Sequence, residues 1–121
     1  MQLDDFYALN DVQVNDGLAS AKITIIKDHE IFNGHFPGNP VTPGVCMMHI
    51  IKEITEEIVG CKLLMQSSSN IKFMAIINPE LTPNLDLELD IQKTDQGFKV
   101  KNTTKFDDTV ALKLTSNFIA K

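Results

Sequence analysis

Residues 41–60 read VTPGVCMMHIIKEITEEIVG, and the placement of this stretch decides the fold. Thr42 can cap a helix, and Pro43 suits a first helical position because its φ is fixed and its missing N–H would be unsatisfied there anyway. Gly60 offers the stop, so the spacing predicts a helix over 43–59. The first half, VCMMHII, is apolar almost all round and should be buried on most sides. The second half, KEITEEIV, is amphipathic, with Ile54 and Ile58 facing inward.

Beyond that helix the chain reads as strands. LASAKITII (18–26) alternates, and the irregular KDHEIFNGHFPGNPV follows it. CKLLMQSSSNIKFMAII (61–77) is a strand interrupted near its serines. LDLELDIQ (85–92) alternates cleanly, GFKVKNTTKF (97–106) pairs with it across KTDQ, and TVALKLTSNFIA covers 109–120. Such short connections call for antiparallel hairpins. The expectation is a single α+β domain over 1–121, with one long buried helix against an antiparallel sheet of about five or six strands. One helix cannot cover both faces of such a sheet, so a dimer is expected, with a sheet edge or the helix ends in the interface.

The chain has 121 residues, 43% of them apolar and 22% charged, the balance of a globular protein able to build a core. No apolar run approaches the roughly 20 residues of a membrane span. The acidic opening, MQLDDFYALND, lacks the basic end of a signal peptide, which makes the cytoplasm the default location. The net charge is −5, and all eleven basic residues are lysines. Without arginine there is no planar fork for phosphate or guanine, so nucleic acid is not an expected partner. Cys46 and Cys61 are not expected to pair, since helical rise alone separates them by about 20 Å. A thiolate is conceivable at Cys46 near the helix start, but the simpler reading is a small buried hydrophobe.

Three histidines carry the remaining chemistry. His29 reads as a solvated side chain. His35 sits in NGHFPGNPVTPG, where three prolines and three glycines in twelve residues fix the backbone more firmly than a plain connection requires. His49 shares a helical face with Val45, Lys52, Glu53 and Glu56. It reads either as a border residue paired with Glu53 one turn on or as part of a site. The three histidines lack metal-ligand spacing, and there is no nucleophile elbow, phosphate loop or dinucleotide fingerprint.

With these residues in view, FNGHFPGNPVTPGV (32–45) resembles the signature of the bacterial 3-hydroxyacyl-(acyl carrier protein) dehydratases, which have the hot-dog fold. KFMAIINPE (72–80) is a weaker echo of the same family, where a basic residue and Phe precede a Pro-Gly turn. The resemblance implies a long central helix wrapped by an antiparallel sheet. It also implies conversion of a 3-hydroxyacyl thioester on acyl carrier protein to the trans-2-enoyl thioester and water, in fatty-acid or aryl-polyene and polyketide-like biosynthesis. By the family pattern His35 is the base, the Val41 carbonyl orients its ring, and the Gly44 N–H polarises the thioester carbonyl. Phe36, Pro43, Met47 and Met48 would line the acyl site. The resemblance implies no metal and no cofactor beyond the substrate's own phosphopantetheine. It implies a dimer or trimer of dimers, or a hetero-oligomer with a homologue, in which the loop histidine of one subunit faces the helix of the other. The carrier is acidic, so lysines such as Lys62 and Lys72 are candidates for docking it.

The chain departs from the pattern at one position. Fourteen residues after the loop histidine, where the family carries a helix carboxylate, stands His49. Three roles remain open. His49 could replace the carboxylate as acid, with Glu53 favouring its protonated form. It could merely position the hydroxyl while His35 and water react. Or the chain could be a non-catalytic helper subunit that binds acyl carriers. A hot-dog thioesterase is a more distant reading, because that chemistry usually relies on a helix carboxylate.

Overall fold

In the computed structural model, residues 5–34 and 40–121 are described. Six strands form one antiparallel sheet: β1 (Tyr7–Asn15), β2 (Leu18–Ile25), β3 (Leu63–Phe73), β4 (Asn84–Lys93), β5 (Gly97–Phe106) and β6 (Thr109–Ala120). Their spatial order is β1-β2-β4-β5-β6-β3. Among the described residues a single α-helix, α1 (Gly44–Val59), lies against one face, and a short 3-10 turn spans Glu30–Asn33. This is the hot-dog architecture, and its class agrees with the α+β expectation.

Alternation explains how the sheet wraps the helix. Ala19, Ala21, Ile23 and Ile25 of β2, Leu85, Leu87 and Leu89 of β4, and Leu112, Leu114 and Phe118 of β6 are all buried, whereas the residues between them are mostly polar. From the helix, Cys46, Met47, Ile50, Ile51, Ile54 and Thr55 are buried, a stripe with helical period. Full burial of each large apolar side chain contributes about 1.5–3 kcal/mol, so this two-layer contact dominates stability.

The strand absent from the sequence reading is β1. Its residues are mostly exposed, so it shows no buried alternation. Asp16 and Gly17, both at positive φ, turn it into β2, and an Asp-Gly pair is the preferred hairpin corner. The interruption expected near the serines is present: the β3–β6 register shifts between Met65 and Ser67 and again between Ser69 and Lys72, with Asn70 at φ 53. Pairing resumes beyond the bulge at Lys72 and Phe73, and β3 ends at Phe73, short of the expected 77.

Other local expectations change. Thr42 does not cap the helix. Pro43 occupies the N-cap in extended conformation, with no side-chain cap, and the helix begins at Gly44. The Thr42 N–H instead donates to the Ile77 carbonyl at 2.9 Å, and its buried hydroxyl has no partner among the described residues. At the other end Gly60, at φ 78, closes the helix by donating to the Glu56 carbonyl. The first half of α1 is less enclosed than its sequence suggests, since Val45 is 57% exposed and Met48 and His49 are half-buried. His29 is not simply solvated. Its Nδ1 accepts the Ile31 N–H at 3.1 Å, and its ring meets Phe6 edge-on.

Candidate active site

Two hollows flank the start of α1. The larger, a cavity of about 500 Å³, is bounded by Val41, Thr42, Pro43 and Gly44 on one side and by Phe73, Met74, Ala75, Ile76 and Ile77 on the other. The N–H of Gly44 lies in the first helical turn, where no preceding carbonyl can receive it. The aligned peptide dipoles add positive potential there. Pro43 offers no capping side chain, and although the Cys46 N–H donates to the Pro43 carbonyl at 3.1 Å, the Gly44 N–H can meet an incoming carbonyl oxygen. Space also favours glycine at 44 while the Phe73 ring keeps its place. A Cβ there would come within 2.6 Å of the Phe73 ring, which covers the helix end.

The second hollow, of about 350 Å³, lies on the open helix face and is lined by Val45, Met48, His49, Lys52, Leu63, Leu64, Met65 and Lys121. His49 Nε2 stands 3.7 Å from Glu53 Oε1, an ion-pair distance when the imidazole is protonated. The same Glu53 oxygen accepts the Tyr7 hydroxyl at 3.1 Å. Burial, then the charge and hydrogen bond of Glu53, then Glu57 and Glu56 push the Tyr7 hydroxyl far above its usual range, so it remains an O–H donor. Tyr7 was outside the sequence reading. The signal that reveals it is the stretch before Asp16-Gly17, read as the first arm of a hairpin.

The structure therefore gathers Val41, Pro43 and Gly44 around one cavity and places Met48 and His49 at the other. Met47 is fully buried in the core and lines neither hollow. His35 and Phe36 lie outside the described residues. Cys46 is buried, and burial pushes its thiol up, away from the thiolate state. Cys61 is exposed, and no disulfide joins it to Cys46. Lys62 stands beside Glu53, Glu56 and Glu57, whereas Lys72 shares the outer sheet face with Lys101 and Lys113. Among the described residues no cluster of His, Cys, Asp and Glu could hold a metal ion. No helix there is long and apolar enough to cross a membrane.

Comparison with known proteins places this geometry in a family. The chain is 31% identical over 99 residues to the 3-hydroxyacyl-(acyl-carrier-protein) dehydratase FabZ of Lactobacillus helveticus, an alignment covering 76% of this chain and 66% of that protein. The FabZ of Fusobacterium nucleatum is 28% identical over 108 residues, covering 84% and 75%. The chain thus spans just under two thirds of the Lactobacillus relative. Among solved structures, the dehydratase heterocomplex ApeI:P from Xenorhabdus doucetiae superposes with a TM-score of 0.78 at 17% identity, over 93% of this chain and 96% of that one. A hypothetical thioesterase with coenzyme A from Streptococcus pneumoniae gives a TM-score of 0.69 at 13% identity, over 99% and 91%. At these identities the two structures speak to the fold alone. The ApeI-like model, described as ApeI dehydratase, matches residues 11–113, and the chain belongs to that family.

Proposed function

We propose that the protein dehydrates 3-hydroxyacyl thioesters presented on the phosphopantetheine arm of an acyl carrier protein. The observation that carries this reading is the uncapped Gly44 helix start opening into a cavity large enough for a thioester and the first part of its chain. Family membership supplies the reaction class. In this reading a thioester carbonyl accepts from the Gly44 N–H, which stabilises the enolate oxygen as it develops. His35 takes the proton from C2, and the electron pair forms the C2–C3 double bond. The C3–O bond breaks, and the departing hydroxyl takes a proton from His49 and leaves as water. The steps so written draw on two proton-transferring side chains and one backbone donor, with no group beyond the substrate's own arm.

The helix face bearing His49 is completed by a second copy. Val45 and Leu64 are about half exposed beside His49, and β3 is an open sheet edge. Pairing at that edge would cover the apolar strip and bring the loop histidine of one subunit toward His49 of the other. A homologous chain in the second place, as the heterocomplex among the fold neighbours suggests, is the alternative arrangement.

The carrier would dock on the outer face of β3, β5 and β6. Lys72 and Lys113 are direct cross-strand partners, and Lys101 lines the same hollow. Like charges directly opposite destabilise a sheet, so this patch suits an anionic protein in a chain whose net charge is −5. Asp90 lies opposite Lys101 in register, without an ion pair between them.

Mass spectrometry of 3-hydroxyacyl carriers of short, long and aryl-conjugated type tests the proposal. Loss of one water is expected, and the preferred chain separates fatty-acid from aryl-polyene assembly. Release of free acid would make the protein a thioesterase. An unchanged carrier across the whole set would leave a helper subunit as the better reading.

A further inference from the structure

Glu53 Oε1 is shared by two side chains from different elements, the Tyr7 hydroxyl of β1 at 3.1 Å and His49 Nε2 at 3.7 Å. We propose that Tyr7, acting through Glu53, is a positioning residue for His49. The inference rests on the reading in which His49 works in the site.

A glutamate on a helix surface samples several rotamers, and each histidine partner it holds loosely inherits that freedom. The Tyr7 bond selects one rotamer and fixes the oxygen that meets the imidazole. Tyr7 is half-buried, and as a persistent O–H donor it leaves Glu53 as the acceptor. The other charged groups near His49 are engaged differently. Lys52 lies 3.4 Å from Glu56, whose carboxylate also accepts the Leu63 N–H at 2.7 Å. Lys121 lines the His49 hollow, while Glu57 and Lys62 belong to the neighbourhood of Tyr7. Glu53 is thus the acid that meets His49, and it is tied to a second element at the very atom that does so. With Nε2 turned toward Glu53, Nδ1 is the nitrogen left for a substrate hydroxyl.

The test uses the full chain with Tyr7→Phe, which removes the hydroxyl and keeps the ring. Expected are a fall in kcat of roughly tenfold with KM unchanged, in the lower range of what losing an outer partner costs a working histidine. The ring-nitrogen NMR signals of His49 should move while those of His29 do not, which a loss of stability alone would not produce. Because Tyr7 acts through Glu53, the double variant Tyr7→Phe/Glu53→Gln should be no slower than Glu53→Gln alone. Unchanged kcat and unchanged His49 signals would overturn the inference, as would a fall in melting temperature with no change at His49. The underlying reading fails separately, by full activity in His49→Ala or by no turnover in the native chain. Even then the His49 signals in Tyr7→Phe decide whether the positioning holds.

Discussion

Gly44 accepts no side chain while the Phe73 ring keeps its place, because a Cβ would lie 2.6 Å from the ring's far atom. The ring is about half exposed, so it can swing aside at little cost to the fold, and alanine is itself a better helix former than glycine. Gly44→Ala should therefore leave the melting temperature nearly unchanged, yet lower kcat/KM by tenfold or more, since small displacements at a reacting centre are expensive. Adding Phe73→Leu should restore part of the loss by making room. Steady-state kinetics on a hydroxyacyl carrier beside thermal unfolding checks both. Gly44, Pro43 and Val41 are legible in the sequence because a short motif fixes them locally. The approach of Phe73 to Gly44 is not, because it joins residues far apart in sequence through tertiary packing. Nor is the division between Met47 in the core and Met48 at the hollow, which depends on how the helix is rotated against the sheet.

At the scale of elements, Glu56 joins the end of α1 to the start of β3. It accepts the Leu63 N–H at 2.7 Å and lies 3.4 Å from Lys52, with a side chain only 12% exposed. Burial opposes its charge, but the Leu63 N–H and then Lys52 and Lys62 outweigh it, and the carboxyl is held below its ordinary value of 4.5. A carboxylate depressed in the folded state adds stability above the unfolded pKa and loses it as pH falls through the folded one. Glu56→Gln should therefore destabilise the native chain by about 1 kcal/mol near neutral pH. The gap should close as the pH drops below the ordinary carboxylate range. Urea midpoints for both proteins across that range measure it, and a gap constant with pH would show that the bond works without its charge. The long helix and the alternating strands were legible because one buried face prints its period on the sequence. β1 was not, since an edge strand with little burial carries no such period and is betrayed only by its Asp-Gly corner.

At the scale of the whole molecule, the apolar first half of α1 carries more hydrophobic surface than one sheet can cover. The sequence calls for burial on most sides, and a single chain leaves Val45 and the neighbouring Leu64 about half exposed. The same apolar pattern serves core and interface alike, which is why the expectation of a second subunit came from the sequence without a position for it. The open edge of β3 is the position proposed for it, with unpaired backbone groups beside Leu64, Ile71 and Phe73. The opposite edge, β1, carries Asn10, Asp11, Gln13 and Asn15 and a register shift, features that discourage pairing. A stable pair needs roughly 1,600 Å² of buried surface in total, more than one hollow provides and within reach of an edge and helix face together. Light scattering should thus report a dimer or a multiple of it. Leu64→Asp, which sets a charge within the apolar strip, should shift the mass to that of one chain at micromolar concentration. Its far-ultraviolet circular dichroism should match the native protein, because Leu64 lies outside the core. Turnover should fall with the dimer if the proposed arrangement, with the two histidines contributed by different subunits, holds. A monomer that keeps full activity would place both proton-transfer groups within one chain.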